Sequence, residues 1–263
     1  MRRARIAIAG DTQSVHGSLT NAGAIAIELA NGWPVDVGIR TVANSADSWE
    51  LLDQQFGDAG VTTWLSIREP ASHEGIGASL RMGDTINIDE LFSHDLVIVA
   101  CRDVALRRFL ADLPVHTYPG VRQLALLHFE EGAIEGERLE DLTRFDVIVG
   151  SDADYVTLVG TAPGNQHPLT AMASAIEATN TRAAISWGRH GEFTCLRPDQ
   201  DLLHVAALHA PYTPSDSPWA GFVGAIAMGM VNRLGWDEIG RDAARQFASR
   251  TQASRTGSPT RKS

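Results

Sequence analysis

The sequence predicts an α/β protein whose mostly parallel sheet is covered by helices on both faces. Two observations lead to that fold class. Short β-rich apolar runs recur between helical segments along the whole chain, the order that builds a parallel sheet. One of them, HDLVIVAC at 94–101, has a continuous apolar core without alternation, which suits a strand buried on both faces.

The elements follow in order. ARIAIAG (4–10) reads as a first strand ending at Gly10-Asp11, LTNAGAIAIELAN (19–31) as an alanine-rich helix, and WPVDVGI (33–39) as the next strand. A helix around 47–60, a strand VTTWLSIR (61–68) and an alternating piece IGASLRM (76–82) come before the strand at 94–101. The spacing then predicts a helix VALRRFLADL (104–113), a strand VHTYPG (115–120), a helix near LEDLTR (139–144) and a strand DVIVGS (146–151). Helix LTAMASAIEATN (169–180), strand AAISWG (183–188), a short hairpin and a long helical region from Pro218 complete the pattern. No Pro- or Gly-rich linker interrupts residues 1–250, which predicts a single domain, and the polar residues 251–263 read as a flexible tail.

Composition narrows the function classes. At 263 residues and 44% hydrophobic content, the chain can bury a large core without a disulfide or metal staple. Cys101 and Cys195 each sit in an apolar run and read as buried small hydrophobes, which fits a reducing cytoplasm. A net charge of −10, with basic clusters only at Arg2–Arg3 and in the tail, argues against a nucleic-acid surface. No apolar run reaches the length of a membrane span. The basic start is followed by only the five-residue run IAIAG before Asp11, so a first strand is expected there and not a signal peptide.

Ligands of such sheets lie beyond the carboxyl ends of the strands, and four stretches there carry polar candidates. Asp11 directly follows a strand and a glycine, placing a carboxylate where it binds substrate hydroxyls or caps the turn. Gly17 and Asn21 lead into a helix of small residues; Asn21 either points its amide at a hydroxylated ligand or belongs to an ordinary N-capped helix. Ser186, Gly188 and Gly191 end a strand and open a turn. That turn either brings backbone N–H groups and Arg189 to a phosphate or is a plain β-turn. Ser217-Pro218 is a helix start. Trp219, Ala220 and Gly221 then form a first turn that favours an anion, unless the helix is simply buried. Asp216 is the nearest carboxylate.

Taken in order, these stretches resemble the ribokinase-like (PfkB) family of carbohydrate and nucleoside kinases over nearly the whole chain. HGSLTNAGAIAIELANGWPV looks like the family's GGxxxNxAxxxAxLG segment, with Gly17 and Asn21 matching and His16 in place of the first glycine. DAGVTTWLSI is similar to KxxGVxTxxV, and ISWGRHGEF to the TLGxxG turn, with Ser186 for Thr and both Gly188 and Gly191 kept. FDVIVGSDADYVTLVG resembles the segment that helps order magnesium and phosphate, with Ser151 for Asn and Asp154 for Glu. PSDSPWAGFVGAIAMG falls on the signature DTxGAGDxFxGA, where Ala220 takes the catalytic aspartate's position in one alignment and that position is deleted in the other.

The resemblance implies a three-layer α/β/α sandwich, ATP and magnesium as cofactors, and a cytoplasmic small-molecule kinase. Only TQSV separates Asp11 from His16, so the family's β lid is expected to be absent or minimal. A monomer, or a homodimer without a lid clasp, follows. The roles implied are Asp11, Gly17 and Asn21 on the acceptor, Ser186, Gly188 and Gly191 on the nucleotide, and Asp154 near magnesium. Trp219, Ala220 and Gly221 would form the anion hole, with Asp216 as substitute base. Two functions remain: transfer of the ATP γ-phosphate to a sugar-like hydroxyl, and ligand binding without catalysis. A nicotinamide-binding Rossmann domain is disfavoured, because no GxGxxG follows the first strand.

Overall fold

A computed structural model describes residues 2–12, 19, 21–43, 45–68, 79–118, 120–128, 136–160, 166–198, 200–208 and 218–256, with the backbone alone at 114–116 and 250–256. Its centre is one nine-stranded sheet: β1 (Ala4–Gly10), β2 (Val35–Ala43), β3 (Thr62–Ile67), β4 (Leu96–Ala100), β5 (Arg122–Leu126), β6 (Val147–Ser151), β7 (Ala183–Trp187), β8 (Phe193–Leu196) and β9 (Leu203–Val205). The spatial order is β3-β2-β1-β4-β5-β6-β7-β8-β9. Strands β1 to β7 pair in parallel, and β8 and β9 add an antiparallel edge. The order reverses between β1 and β4, where Ile6 pairs with both Val37 and Leu96. Such a switch point opens a crevice beyond the strand ends.

Alternate residues of each central strand feed two separate cores. Ile6, Ile8, Ile98, Leu124 and Val149 pack toward the face of α1 (Asn21–Gly32), α2 (Ala46–Asp58), α8 (Pro218–Asn232) and α9 (Trp236–Thr256). Ala7, Val97, Val99, Ala125 and Ile148 face the other way. They meet α3 (Ile88–Leu91), α4 (Val104–His116), α5 (Leu139–Leu142), α6 (Asp152–Val159), a 3-10 turn (Pro168–Met172) and α7 (Ala173–Glu177). The protein is thus a helix–sheet–helix sandwich, and double burial explains why 94–101 shows no alternation. Both cysteines are buried, and burial pushes their thiols up, that of Cys195 to about 12.

One expectation needs correction, and two regions gain detail. The strand expected at 115–120 is not there: α4 runs to His116, and the strand β5 is RQLAL, after Gly120. Leu and Ala favour helices as much as buried strands, so composition hides β5. Residues 152–159 form a helix that the apolar pattern had not suggested. The long region from Pro218 is two helices, broken where Arg233 adopts φ +58 and Leu234 N–H bonds back to the Gly229 carbonyl, a left-handed helix stop. Of the alternating piece 76–82, only 79–82 is described, and it contains no strand.

Candidate active site

The carboxyl ends of β1 and β4 to β7 lie along one edge of the sheet because these strands are parallel. At the switch point, Gly10 fits only as glycine: a Cβ there would stand 2.3 Å from the Ala100 oxygen of β4 and 2.9 Å from the Ala22 side chain of α1. This close approach delivers the buried Asp11 carboxylate to the crevice. Its oxygens accept from Ser79 Oγ at 3.1 Å, Leu80 N–H at 2.8 Å and Arg102 N–H at 3.2 Å. Burial pushes Asp11 up to about 6, with those donors and the Arg102 charge opposing the rise. Much of its accepting capacity is therefore taken by the protein itself.

Asn21 opens α1 in the left-handed region, at φ +44. Asparagine is among the few residues that tolerate this. Its side chain is buried and, among the described residues, its Oδ1 has no hydrogen-bond partner, so a buried acceptor is left over at this crevice. Gly17 lies outside the described residues, as do Asp216 and Ser217.

A second cluster gathers beyond β5, β6 and β7. Ser151 caps α6 and forms a reciprocal capping box with Asp154. Asp154 Oδ2 accepts from Ser151 N–H and Oγ, both at 2.6 Å, and from His128 Nδ1 at 3.3 Å. Burial alone would raise Asp154, but the His128 hydrogen bond and charge together with the Ser151 donors hold it below its ordinary value. His128, just after β5, packs its ring 5.2 Å from Trp187 and 5.1 Å from Trp219. The two indoles stack 6.5 Å apart, 14° from parallel. Trp219, Ala220 and Gly221 are buried in the first turn of α8, so this turn faces the strand ends and not bulk solvent.

Beside it, the predicted glycine turn forms, with Gly191 at φ +86. Three of its N–H groups are already used. Gly188 N–H bonds to the Glu192 carbonyl at 2.9 Å, Gly191 N–H to the Gly188 carbonyl at 3.1 Å, and His190 N–H to Glu192 Oε2 at 2.9 Å. A Cβ on Gly188 would lie 2.4 Å from Glu192 Oε2 and 3.3 Å from Asp152 Oδ2. A carboxylate of the chain itself thus sits where the sequence pattern expects a phosphate. Ser186 is buried and shares a 3.4 Å contact with His167, whose Nε2 lies 3.1 Å from Asp152.

No family model matches the chain, and no curated protein matches it in sequence. Solved structures do match. The ribokinase of Arabidopsis thaliana, in complex with ribose and ATP, superposes with a TM-score of 0.68 at 12% identity, over 96% of this chain and 93% of that one. Phosphofructokinase-2 of Escherichia coli, in complex with fructose-6-phosphate, gives 0.68 at 12% over 96% and 95%. A PfkB protein from Polaromonas sp. JS666 gives 0.64 at 14% over 99% and 98%. The fold is ribokinase-like.

Within the ribokinase-like fold, Asp11 and Asn21 share one crevice at the switch point. Trp187, Gly188, Asp154 and the start of α8 share the neighbouring one. Among the described residues no three His, Cys, Asp or Glu side chains gather tightly enough to hold a metal ion. Asp152, Asp154 and Glu192 nevertheless stand at the same strand ends, and magnesium needs only one or two carboxylates beside phosphate and water. The sequence conceals His128, because Gln-Leu-Ala-Leu does not read as a strand, and Glu192, because it follows a glycine turn as an ordinary polar residue. A strand at 122–126 would have put His128 directly after a strand end.

Proposed function

We propose that the chain is a small-molecule kinase that moves the ATP γ-phosphate to a hydroxyl of a sugar or related metabolite, with low turnover. One observation carries this reading: the buried first turn of α8 lies against the end of β7, with Trp219 stacked on Trp187 next to the glycine turn. Helix starts of this kind favour an anion through their free N–H groups and dipole. Asp11 and Asn21 would orient the acceptor, and Asp154 would hold magnesium through water. Magnesium would neutralise charge on the phosphates. With alanine at 220, proton removal falls to another group, Asp216 being the nearest carboxylate in sequence. Loss of a positioned base costs typically ~10²–10⁴-fold, while positioning and electrostatics remain.

A second reading, ligand binding without catalysis, is favoured by the Trp187–Trp219 stack and by Glu192 inside the glycine turn. On this reading these side chains take the space that the kinase reading gives to a nucleotide's phosphates. Calorimetry with magnesium-ATP followed by ATP-consumption assays over sugars, sugar phosphates and nucleosides separates the two. Turnover that is lost in Asp216→Asn supports the kinase. Absence of both heat and turnover removes it, and heat from a sugar alone supports the binding protein.

A further inference from the structure

The opposite edge of the sheet holds a cavity of about 600 Å³, beneath the amino ends of β5, β6 and β7. Arg122, Arg144, Arg182 and Arg233 line it, with only Asp112 and Asp146 to balance them. A neighbouring groove of about 570 Å³ shares Arg122 and Arg233 and adds Arg2, Arg3 and Asp95, with Arg3 paired to Asp36. The four cavity arginines are scattered between positions 122 and 233 in the sequence. Topology assembles them: three lie at or just before parallel strands, and Arg233 follows the carboxyl end of α8, which runs against those strands.

Among the described residues, two of the four cavity arginines have a carboxylate partner and two do not. Arg144 Nη1 is held by both oxygens of Asp112, at 2.5 and 2.7 Å. Arg182 Nε lies 3.2 Å from Asp146 Oδ1, while Asp146 Oδ2 accepts from Gln123 N–H at 2.8 Å. Arg122 donates only to a neutral acceptor, the Met230 carbonyl. Among the described residues Arg233 is exposed, and its guanidinium has no partner. Burial lowers the Arg122 pKa, the charges of Arg182 and Arg233 lower it further, and Asp146 opposes them in part. Like charges held this close repel one another, and the repulsion is relieved when an anion enters. This is a local positive surplus on a chain of net charge −10.

We propose that this cavity is a binding site for a multiply charged phosphate anion, such as tripolyphosphate or pyrophosphate. Guanidinium forks match phosphate oxygens in pairs, and two or more forks facing one space call for several phosphates in a row. The volume is that of a small-molecule site. Among the described residues the cavity lining carries no aromatic ring, so the site reads charge and spacing and not a nucleobase. It stands at the far ends of the strands from the candidate active site and is independent of any kinase role.

The test is calorimetry at low salt with tripolyphosphate, pyrophosphate and orthophosphate. Wild type is expected to bind one tripolyphosphate, and orthophosphate more weakly. Arg182→Gln/Arg233→Gln should weaken tripolyphosphate by roughly 10-fold or more. The control Arg241→Gln/Arg245→Gln, which removes two charges from α9, should stay within about 2-fold. Arg233→Gln alone breaks no contact among the described residues, so it guards against a folding defect and should weaken binding on its own. No heat with wild type, unchanged affinity in the cavity variants, equal weakening in the control, or orthophosphate binding as tightly as tripolyphosphate would each overturn the proposal.

Discussion

The indole of Trp219 stacks on that of Trp187, 6.5 Å apart and 14° from parallel, over the ring of His128. An aromatic lid made by the chain itself therefore covers the first turn of α8. Trp219 is 3% exposed, so Trp219→Ala should cost about 3–5 kcal/mol in urea unfolding, the usual loss for a large buried side chain. The same substitution uncovers the helix start. Magnesium-ATP affinity, measured by calorimetry, should rise in the variant as stability falls. A variant that loses stability with no gain in nucleotide binding would show that the stack does not obstruct the turn.

Asp11 should titrate near pH 6, a region where ordinary aspartates are fully ionised. Its folded value is raised from 3.8 to about 6, so folding favours the protonated form. That contribution, about 3 kcal/mol from the size of the shift, is complete below pH 3.8 and lost as pH rises through 6. Carbon-13 NMR of the labelled carboxyl reads the value directly. If Asp11 holds an acceptor hydroxyl, acceptor affinity falls below about pH 6. A midpoint near 4 would mean that the crevice is wetter than the geometry implies.

His128 and Asp154 should behave as a coupled pair. The Asp154 value is depressed in the folded protein despite burial, so its stabilisation is present above the unfolded value and disappears as pH falls through the folded one. His128→Ala removes one of the groups holding it down, and the Asp154 carboxyl should then titrate higher. A double-mutant cycle with Asp154→Asn should give a coupling of about 0.5–3 kcal/mol. The Ser151 donors remain in both backgrounds, so α6 stays capped. A coupling of zero would mean that the 3.3 Å contact is incidental.

The strands that alternate badly were the ones most legible in the sequence. β1, β4, β6 and β7 are β-rich apolar runs with glycine or a polar turn at the end, and double burial leaves them no other reading. β5 was illegible because Gln-Leu-Ala-Leu serves a buried strand and a helix equally well, while Val-His-Thr-Tyr, part of it in α4, looked more like a strand. That slip concealed His128. The start of α8 at Pro218 was visible because a proline with no N–H belongs at the head of a helix. The arginine cluster could not be seen at all, since only the parallel order of β5, β6 and β7 places 122, 144 and 182 side by side.

Two site glycines should answer differently to the same added methyl. At Gly10 the new Cβ meets backbone, the Ala100 oxygen at 2.3 Å, and neither β4 nor α1 can withdraw. Gly10→Ala should cost about 3 kcal/mol or more, as overpacking does. At Gly188 the nearest atom, at 2.4 Å, is the carboxylate tip of Glu192, which can rotate away. Gly188→Ala should fold with a loss below about 1 kcal/mol, while displacing Glu192 from the turn. Thermal unfolding of the two variants side by side gives the comparison, and equal losses would contradict it.

Arg107 and Glu137 form an ion pair with both side chains nearly sealed from solvent, Nε to Oε2 at 2.9 Å. Arg107 Nη1 also donates to the carbonyls of Val99, Cys101 and Leu126, tying the ends of β4 and β5 together beside the candidate site. Its guanidinium lies 5.9 Å over the Phe145 ring. Burial pushes the Glu137 carboxyl up, and the Arg107 charge pulls it back. Removing one partner strands the other charge, so Glu137→Ala should cost about 3–5 kcal/mol. Arg107→Met together with Glu137→Leu removes both charges at similar volume and should recover much of that loss. The recovery should be incomplete, because three carbonyls lose their donor. Urea midpoints of the single and double variants decide it: a double variant no better than Glu137→Ala would mean that the strand-end carbonyls, and not the ion pair, account for the stability.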